Sequence, residues 1–186
     1  MDTMTWIIIG VISIIVAWIV YTYNRLVTLR IRSNEAVSDI DVQTKRRYDL
    51  IPNLVETVKG YMGHERTVLE GVTKARTEAM GTTGGAFERE KQENVLSGAL
   101  KTLFAVAENY PNLKANENFL ALQQELADTE NKIQAARRFY NANVRDLNTK
   151  IEVFPASIVA KSFHFEKMKF FEAAAGEERK PVQVRF

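Results

Sequence analysis

The sequence contains no cysteine and only two histidines among 186 residues. Without cysteine the chain can form neither a disulfide framework nor a thiolate metal site, and it has no thiol nucleophile. The histidines fit no metal motif of a helical protein. A Glu-x-x-His pair needs glutamate three residues before the histidine, but Tyr61 precedes His64 and Lys161 precedes His164 at that spacing. A His-Glu-x-x-His motif that begins at His64 would need its second histidine at position 68, which is Val68.

The sequence also lacks a large excess of either charge, because the net charge is only +2 and acidic and basic residues are interleaved. A nucleic-acid partner usually requires a concentrated basic face, so none is expected. The sequence has no P-loop, dinucleotide fingerprint or nucleophile elbow. The run His64–Thr67 loosely resembles the histidine box of sensor kinases, but it lacks that box's proline and no Gly-rich ATP-binding domain follows. We therefore expect no enzyme, no cofactor, no metal and no small-molecule substrate.

One run lacks charge altogether, the eighteen residues from Trp6 to Tyr23. A helix of that length measures roughly 27 Å, close to the hydrocarbon thickness of a bilayer. Trp18 and Tyr21 lie toward the far end, as in an aromatic belt. A cleaved signal peptide is the rival interpretation, but Asp2 precedes the run where such peptides carry positive charge. We predict a retained, single-pass anchor in contact with membrane lipids.

Arginines follow the predicted span at positions 25, 30 and 32, and none precedes it. Positive residues stay on the cytoplasmic side, so we expect a cell-membrane protein with its N-terminus outside and its bundle in the cytoplasm. Gly10, Ser13 and Ala17 share one helix face that would let neighbouring anchors approach closely.

From Asn34 to Ala79, apolar residues recur in alternating steps of three and four, the seam of a long helix that packs on other helices. The seam keeps its phase through Pro52, which predicts a kinked but continuous helix. The Gly-rich turn at residues 81–85 ends it. The seam positions are Val37, Ile40, Thr44, Arg47, Ile51, Leu54, Val58, Tyr61, Glu65, Val68, Val72, Ala75 and Ala79.

Arg47 stands on this seam, where its stem packs with the head in solvent or its charge pairs with a buried acid on another helix. Glu65 allows the same two interpretations. Lys45–Arg47 and Arg137–Arg138 form short basic clusters, which are either solvated faces or contacts for anionic lipids and acidic partners.

Two further helical patterns complete an all-α fold, in which the N-terminal span runs into an antiparallel three- to four-helix bundle with a short aromatic C-terminal tail. Asn116 is a suitable cap for the last long helix. The predicted parts are a stub at 1–5, the span at 6–23, a coiled bundle at 24–152 with helices near 24–80, 86–109 and 116–152, and a short helix with the tail at 153–186.

Six of the ten phenylalanines lie after Val153, so the tail is expected to dock on its own bundle, on a neighbour or on the membrane surface. The alternation of Val182, Val184 and Phe186 suggests a short strand. Possible partner-docking residues are Arg46, Arg47, Phe163, Phe165, Phe170 and Phe171.

Helix lengths predict self-association. A helix over residues 34–79 measures about 69 Å, whereas one over 86–109 measures about 36 Å. The stem after the span then lacks a covering helix from its own chain although Val37 and Ile40 mark a seam there. The aromatic tail folding back is one candidate cover, and a homo-oligomer through about residues 6–51 is the simpler one. The proposed anchor and self-association residues are Trp6, Gly10, Ser13, Ala17, Trp18, Val37 and Ile40.

Several segments together resemble the LemA family. They are the N-terminal span followed by residues 23–26, the string Arg46–Val55 (RRYDLIPNLV), the run Tyr110–Asn116 (YPNLKAN), residues 137–141 and Phe154-Pro155. The resemblance implies a membrane-anchored antiparallel helical bundle with no catalytic residues to transfer. We expect a non-enzymatic scaffold that self-associates and presents a cytoplasmic bundle to other membrane proteins. The alternative is a monomeric adaptor or regulatory subunit for a membrane protease or an envelope-stress system.

Overall fold

The computed structural model describes residues 2–172, which contain six helices and no strand. The predicted all-α fold with an apolar N-terminal helix that continues into a bundle is confirmed. The predicted strand near Val184 lies outside the described residues. The helices are α1 (Thr3–Lys59), α2 (Arg66–Gly81), α3 (Ala86–Ala107), α4 (Pro111–Lys114), α5 (Glu117–Glu152) and α6 (Ala156–Ser162).

The chain divides into two compact units, and α1 and α5 each contribute a segment to both. Of the described residues, we call 2–36 with 138–170 the anchor unit, and 37–137 with 171–172 the bundle unit.

The bundle unit contains four long helical segments in alternating directions. Arg46 of α1 pairs with Glu125 of α5 and Tyr61 contacts Asn116, so these two segments run antiparallel. Arg89 of α3 pairs with Asp41 early in the α1 segment, which makes those two parallel. The core lies along the shared axis and includes Ile51, Leu54, Val58, Val72, Leu96, Leu100, Leu103 and Leu126.

The predicted helix over residues 24–80 is interrupted at residues 60–65, where the chain turns back. Gly60 and Gly63 fall in this segment, and each glycine costs a helix about 1 kcal/mol relative to alanine. The turn also lets Met62 enter the core with 1% exposure, whereas Tyr61, the predicted seam residue, is exposed. The chain therefore reverses once more than expected, and α2 is the additional bundle helix.

Pro52 lies inside α1, which continues through it as predicted. A proline has no N–H to donate to the carbonyl four residues earlier, here that of Tyr48. Arg76 of α2 takes the place of that donor, because its Nε donates to the Tyr48 carbonyl oxygen over 2.8 Å. The gap in the hydrogen-bond ladder of α1 is thus filled by a side chain of the neighbouring helix.

The anchor unit has its own apolar core, which covers the segment of α1 that follows the span. Leu26 and Leu29 are fully buried and pack with Leu147 of α5, Val159 of α6 and Phe165. The expectation that the stem lacks cover from its own chain is therefore wrong. Its physical cause is the missed reversal at residues 60–65, which changes the direction in which α5 runs.

The ends of the later helices follow local chemistry. The Asn116 side chain caps α5 by accepting a hydrogen bond from the Phe119 N–H over 3.0 Å. Pro111 opens α4 at its first position, and α3 stops earlier, at Ala107. His164 follows α6 with a φ of 54°, and the Phe165 N–H bonds back to the Ala160 carbonyl over 2.9 Å. This Schellman-type ending turns the chain so that Phe165 enters the core.

Candidate functional site

The residues proposed for the anchor lie in the exposed N-terminal part of α1. Trp6, Gly10, Ser13 and Ala17 are exposed, and nothing lies within 4 Å of where a Cβ on Gly10 would stand. Ser13 donates only to the Ile9 carbonyl of its own helix, over 2.9 Å. This part of α1 is long and apolar enough to cross a membrane, with a mean hydropathy of 2.4 and no burial inside the protein. Its small-residue face is thus open to a partner.

The other proposed self-association residues lie elsewhere. Trp18 is half-buried and packs on the anchor-unit core. Ile40 is only 3% exposed and Val37 is half-buried in the bundle unit. Ile40 is therefore a core residue of its own chain and cannot serve as a contact between copies.

A cluster of charged side chains lies in the core of the bundle unit around Arg47, which is 1% exposed. Its guanidinium forms ion pairs with Glu93 of α3 and Glu130 of α5. The Ser97 hydroxyl accepts from Arg47 Nη1 over 3.0 Å and donates to Glu130 over 3.1 Å. The Tyr48 hydroxyl donates to Glu93. Of the two interpretations of Arg47, the buried pair with acids on other helices is the observed one.

Burial and charge act in opposite directions within this cluster. Burial lowers the pKa of Arg47, although the negative charge of Glu130 opposes the shift. Burial alone would raise the pKa of Glu130, but the positive charge of Arg47 and hydrogen bonds from Gln134 and Ser97 outweigh it and hold that pKa below its ordinary value. Glu130 is therefore a carboxylate at neutral pH, so that Arg47 is held as a cation between two acids.

A second charged group lies nearby in the same unit. Arg137 is 8% exposed, bonds Asn94 over 3.4 Å and lies 5.6 Å above the ring of Phe171. Phe171 stacks on Phe87 of α3 with ring centres 4.1 Å apart. Burial raises the pKa of Glu90, and the charge of Arg137 only partly offsets it. Phe171 is thus occupied by its own chain.

The remaining tail residues divide into buried and exposed members. Phe165 is buried, with Arg30 5.2 Å above its ring, whereas Phe163 is half-exposed with its ring centre 4.7 Å from that of Tyr23. The Asn148 side chain holds the tail by reciprocal hydrogen bonds to the backbone of Met168, of 2.9 and 3.0 Å. Phe170 is 48% exposed. Of the proposed docking phenylalanines, only Phe163 and Phe170 remain available.

The two arginines proposed for partner docking differ in the same way. Arg46 and its partner Glu125 are both nearly half-exposed, whereas Arg47 is enclosed. A cleft of about 220 Å³ reaches Arg47 and Glu130 beside Leu100 and Phe104, but both carboxylates already occupy the guanidinium. Within residues 2–172 no group of three or more acidic or histidine side chains is arranged to hold a metal. The cluster can hold helices in register, and it offers no free nucleophile or base.

Glu93, Glu130 and Ser97 were not predicted as partners of Arg47. A signal existed for Glu93, because it precedes Leu96 by three residues and Leu100 by seven, the spacing of one helix face. Glu93 therefore stands in the apolar seam of α3 as Arg47 stands in that of α1. Two opposite charges on facing seams indicate a buried pair.

Comparison with known proteins gives one consistent family. Magnetosome protein MamQ 2 of Paramagnetospirillum magneticum is 24% identical over 198 residues, which cover 91% of this chain and 73% of the relative. Protein LemA of Metamycoplasma hominis is 27% identical, over 81% of this chain and 69% of the relative. The magnetosome protein MamQ of Magnetospirillum gryphiswaldense is 23% identical, over 91% and 72%. The LemA family model matches residues 36–186, so this chain is a member of the LemA family.

Proposed function

We propose that this protein is a non-enzymatic scaffold that is anchored in the cell membrane by α1, self-associates through the anchor, and presents the bundle unit to other membrane proteins. The observation that carries the proposal is the continuity of α1, which begins as an exposed apolar helix and ends as a core helix of the bundle. The names of these relatives state no reaction.

Self-association is assigned to the span alone, because the stem residues are covered by their own chain. In lipid, small residues let helices approach closely, and Gly10, Ser13 and Ala17 line one open face. The test is the copy number of the full chain in lipid nanodiscs by native mass spectrometry. Gly10→Leu with Ala17→Leu should lower it. Ile8→Leu with Ile15→Leu, on the opposite face, is the matched control and should not.

A monomeric adaptor or regulatory subunit for a membrane protease or an envelope-stress system is the second candidate. The specific observation in its favour is the covered stem, since Leu26 and Leu29 have no apolar surface left for another copy. A single copy per nanodisc for the unmodified chain would contradict self-association and favour this alternative over the scaffold.

The orientation proposed for the bundle is cytoplasmic, from the three arginines after the span. Because the chain has no cysteine, a single Val95→Cys variant reports the side on which the bundle lies. Val95 is 53% exposed in α3. A membrane-impermeant maleimide should label it only after the cells are opened, and labelling of intact spheroplasts would reverse the orientation.

A further inference from the structure

The corner at which α5 meets α6 carries an unusual concentration of exposed apolar side chains. Val153 is 53% exposed, Phe154 76%, Ile158 57% and Phe163 52%. Val153 and Phe154 lie between α5 and α6, Ile158 lies on the outer face of α6, and Phe163 directly follows that helix. Large exposed apolar groups that occur together mark a contact surface and not an ordinary solvated one.

Helix α6 has two distinct faces. Val159 and Ala160 are buried in the anchor-unit core, whereas Ile158, Lys161 and Ser162 point outward. The outward face thus combines a branched apolar side chain with a lysine, and aromatic residues flank both ends of the helix. Such a mixture is typical of segments that lie in the headgroup region of a bilayer, where a lysine stem packs on apolar groups and its amine reaches phosphate.

The position of α6 along α1 agrees with a place in the headgroup region of a bilayer. Trp18 and Ile19 pack on the core that contains Val159 and Ala160, and the ring of Phe163 lies 4.7 Å from that of Tyr23. All three α1 residues belong to the last part of the uncharged run. Trp18 precedes Tyr23 by five residues, or about 8 Å along the helix axis. The α5–α6 corner therefore stands beside the end of the span, at the depth where hydrocarbon gives way to headgroups.

We propose that the α5–α6 corner is a second membrane-contact site, which inserts Phe154, Ile158 and Phe163 into the lipid surface beside the span. The partner is a bilayer and not a second copy, because the α1 residues beside the corner, Trp18, Ile19 and Tyr23, lie at 100° per residue on the side of α1 away from the self-association face of Gly10, Ser13 and Ala17. The proposal rests on the membrane anchorage proposed above and goes beyond it, since it fixes the anchor unit against the bilayer at two points.

The test uses the cysteine-free full chain in nanodiscs, with the environment-sensitive fluorophore NBD on one introduced cysteine. Ile158→Cys reports the corner, and Ile14→Cys reports the span. Val95→Cys is the matched control, because Val95 and Ile158 are about equally exposed while Val95 lies in the bundle unit. Each variant is checked for unchanged helicity, and each is measured with ordinary phosphatidylcholine and with phosphatidylcholine brominated on its acyl chains.

The expected result is a blue-shifted label at position 158 that loses emission in brominated lipid, with a label at position 95 that does neither. A label at position 158 that emits at the same long wavelength as the label at position 95, and is likewise not quenched, would overturn the proposal. A blue shift at 158 without quenching would also overturn it, because protein and not lipid then covers the corner. The label at position 14 distinguishes the proposed membrane anchorage from the proposed second contact. If the label at position 14 is not quenched, the anchorage by the span is contradicted. If the label at position 14 is quenched and that at position 158 is not, only the second contact is contradicted.

Discussion

The two units bury different chemistry. The bundle unit encloses charged side chains, with Arg47, Glu93 and Arg137 each under a tenth exposed. Among the described residues of the anchor unit no charged side chain is buried to that extent, and its buried Ser33 and Asn143 bond carbonyls of their own helices. Apolar contacts tolerate small displacements, whereas a buried charge that loses its partner is strongly destabilising. We therefore expect the bundle unit to depend on the register of its helices through these ion pairs, and the anchor unit to depend mainly on its apolar core.

The largest difference is expected on removal of the central cation. Arg47→Met leaves Glu93 buried without its partner, which should lower the free energy of unfolding of the bundle unit by about 3–5 kcal/mol. Arg46→Met is the control one residue away, where the exposed pair with Glu125 is worth about 0–1 kcal/mol. Chemical denaturation in mild detergent measures both. Equal losses for the two variants would contradict the assignment of the buried charge.

Truncation of a buried apolar side chain tests how far apolar burial stabilises the anchor unit. Leu26→Ala removes a fully buried side chain and should cost about 2–5 kcal/mol through lost burial and a cavity. Ile31→Ala, at a 58% exposed position of the same helix, should cost little. Proteolytic susceptibility of the full chain in nanodiscs is the measurement. An unchanged susceptibility of the Leu26→Ala variant would contradict the burial of the stem by its own chain.

A pair of serines sharpens the contrast between the units. Ser97 bridges Arg47 and Glu130, so Ser97→Ala removes a hydrogen bond to each charged group and should cost about 1–3 kcal/mol. The equally polar Ser33 donates only to the Leu29 carbonyl, which its own helix already serves, so Ser33→Ala should cost less than about 1 kcal/mol. Thermal unfolding compares the two. A larger loss for Ser33 would remove the distinction drawn here.

The smallest expected effect is on pH dependence. The pKa of Glu130 is lower in the folded chain than its ordinary 4.5. The contribution of Glu130 to folding stability is therefore fully present above pH 4.5 and is lost as the pH falls through the folded pKa. Glu130→Gln should flatten the acid loss of stability. The pKa of Glu90 is raised, so Glu90 acts in the opposite direction and Glu90→Gln should steepen that loss. Urea unfolding from pH 3 to pH 6 should show the two variants diverging, and parallel curves would contradict the assignment.

The all-α class, the apolar helix and the passage of α1 through Pro52 were all predictable, because each depends on local pattern. The reversal at residues 60–65 was not. A three-four count continues through Tyr61 and Glu65 as easily as through Met62 and Leu69, and two glycines cost too little to end a helix by themselves. The turn brings Met62 into the core with 1% exposure, and that contact depends on helices elsewhere in the sequence.

One missed turn changed the later inferences. With a single helix over residues 24–80, α5 would lead away from the stem, and Val37 and Ile40 would need another copy to cover them. With the turn in place, Ile40 and Leu26 are core residues of the chain itself. The buried pair of Arg47 remained open for a related reason, since a periodic pattern places a residue on a face but does not name the residue that faces it.

The bond from Arg76 to the carbonyl left free by Pro52 has a consequence for sequence variation in this protein. Its acceptor is a backbone atom, so any residue at position 48 leaves the acceptor in place. An insertion or deletion inside α2 before Arg76 is different, because one residue rotates the following part of a helix by about 100° and would carry Arg76 away from that carbonyl. Selection at this contact should therefore act on the number of residues in α2 before Arg76 and leave the residue at position 48 free to vary as far as this bond is concerned.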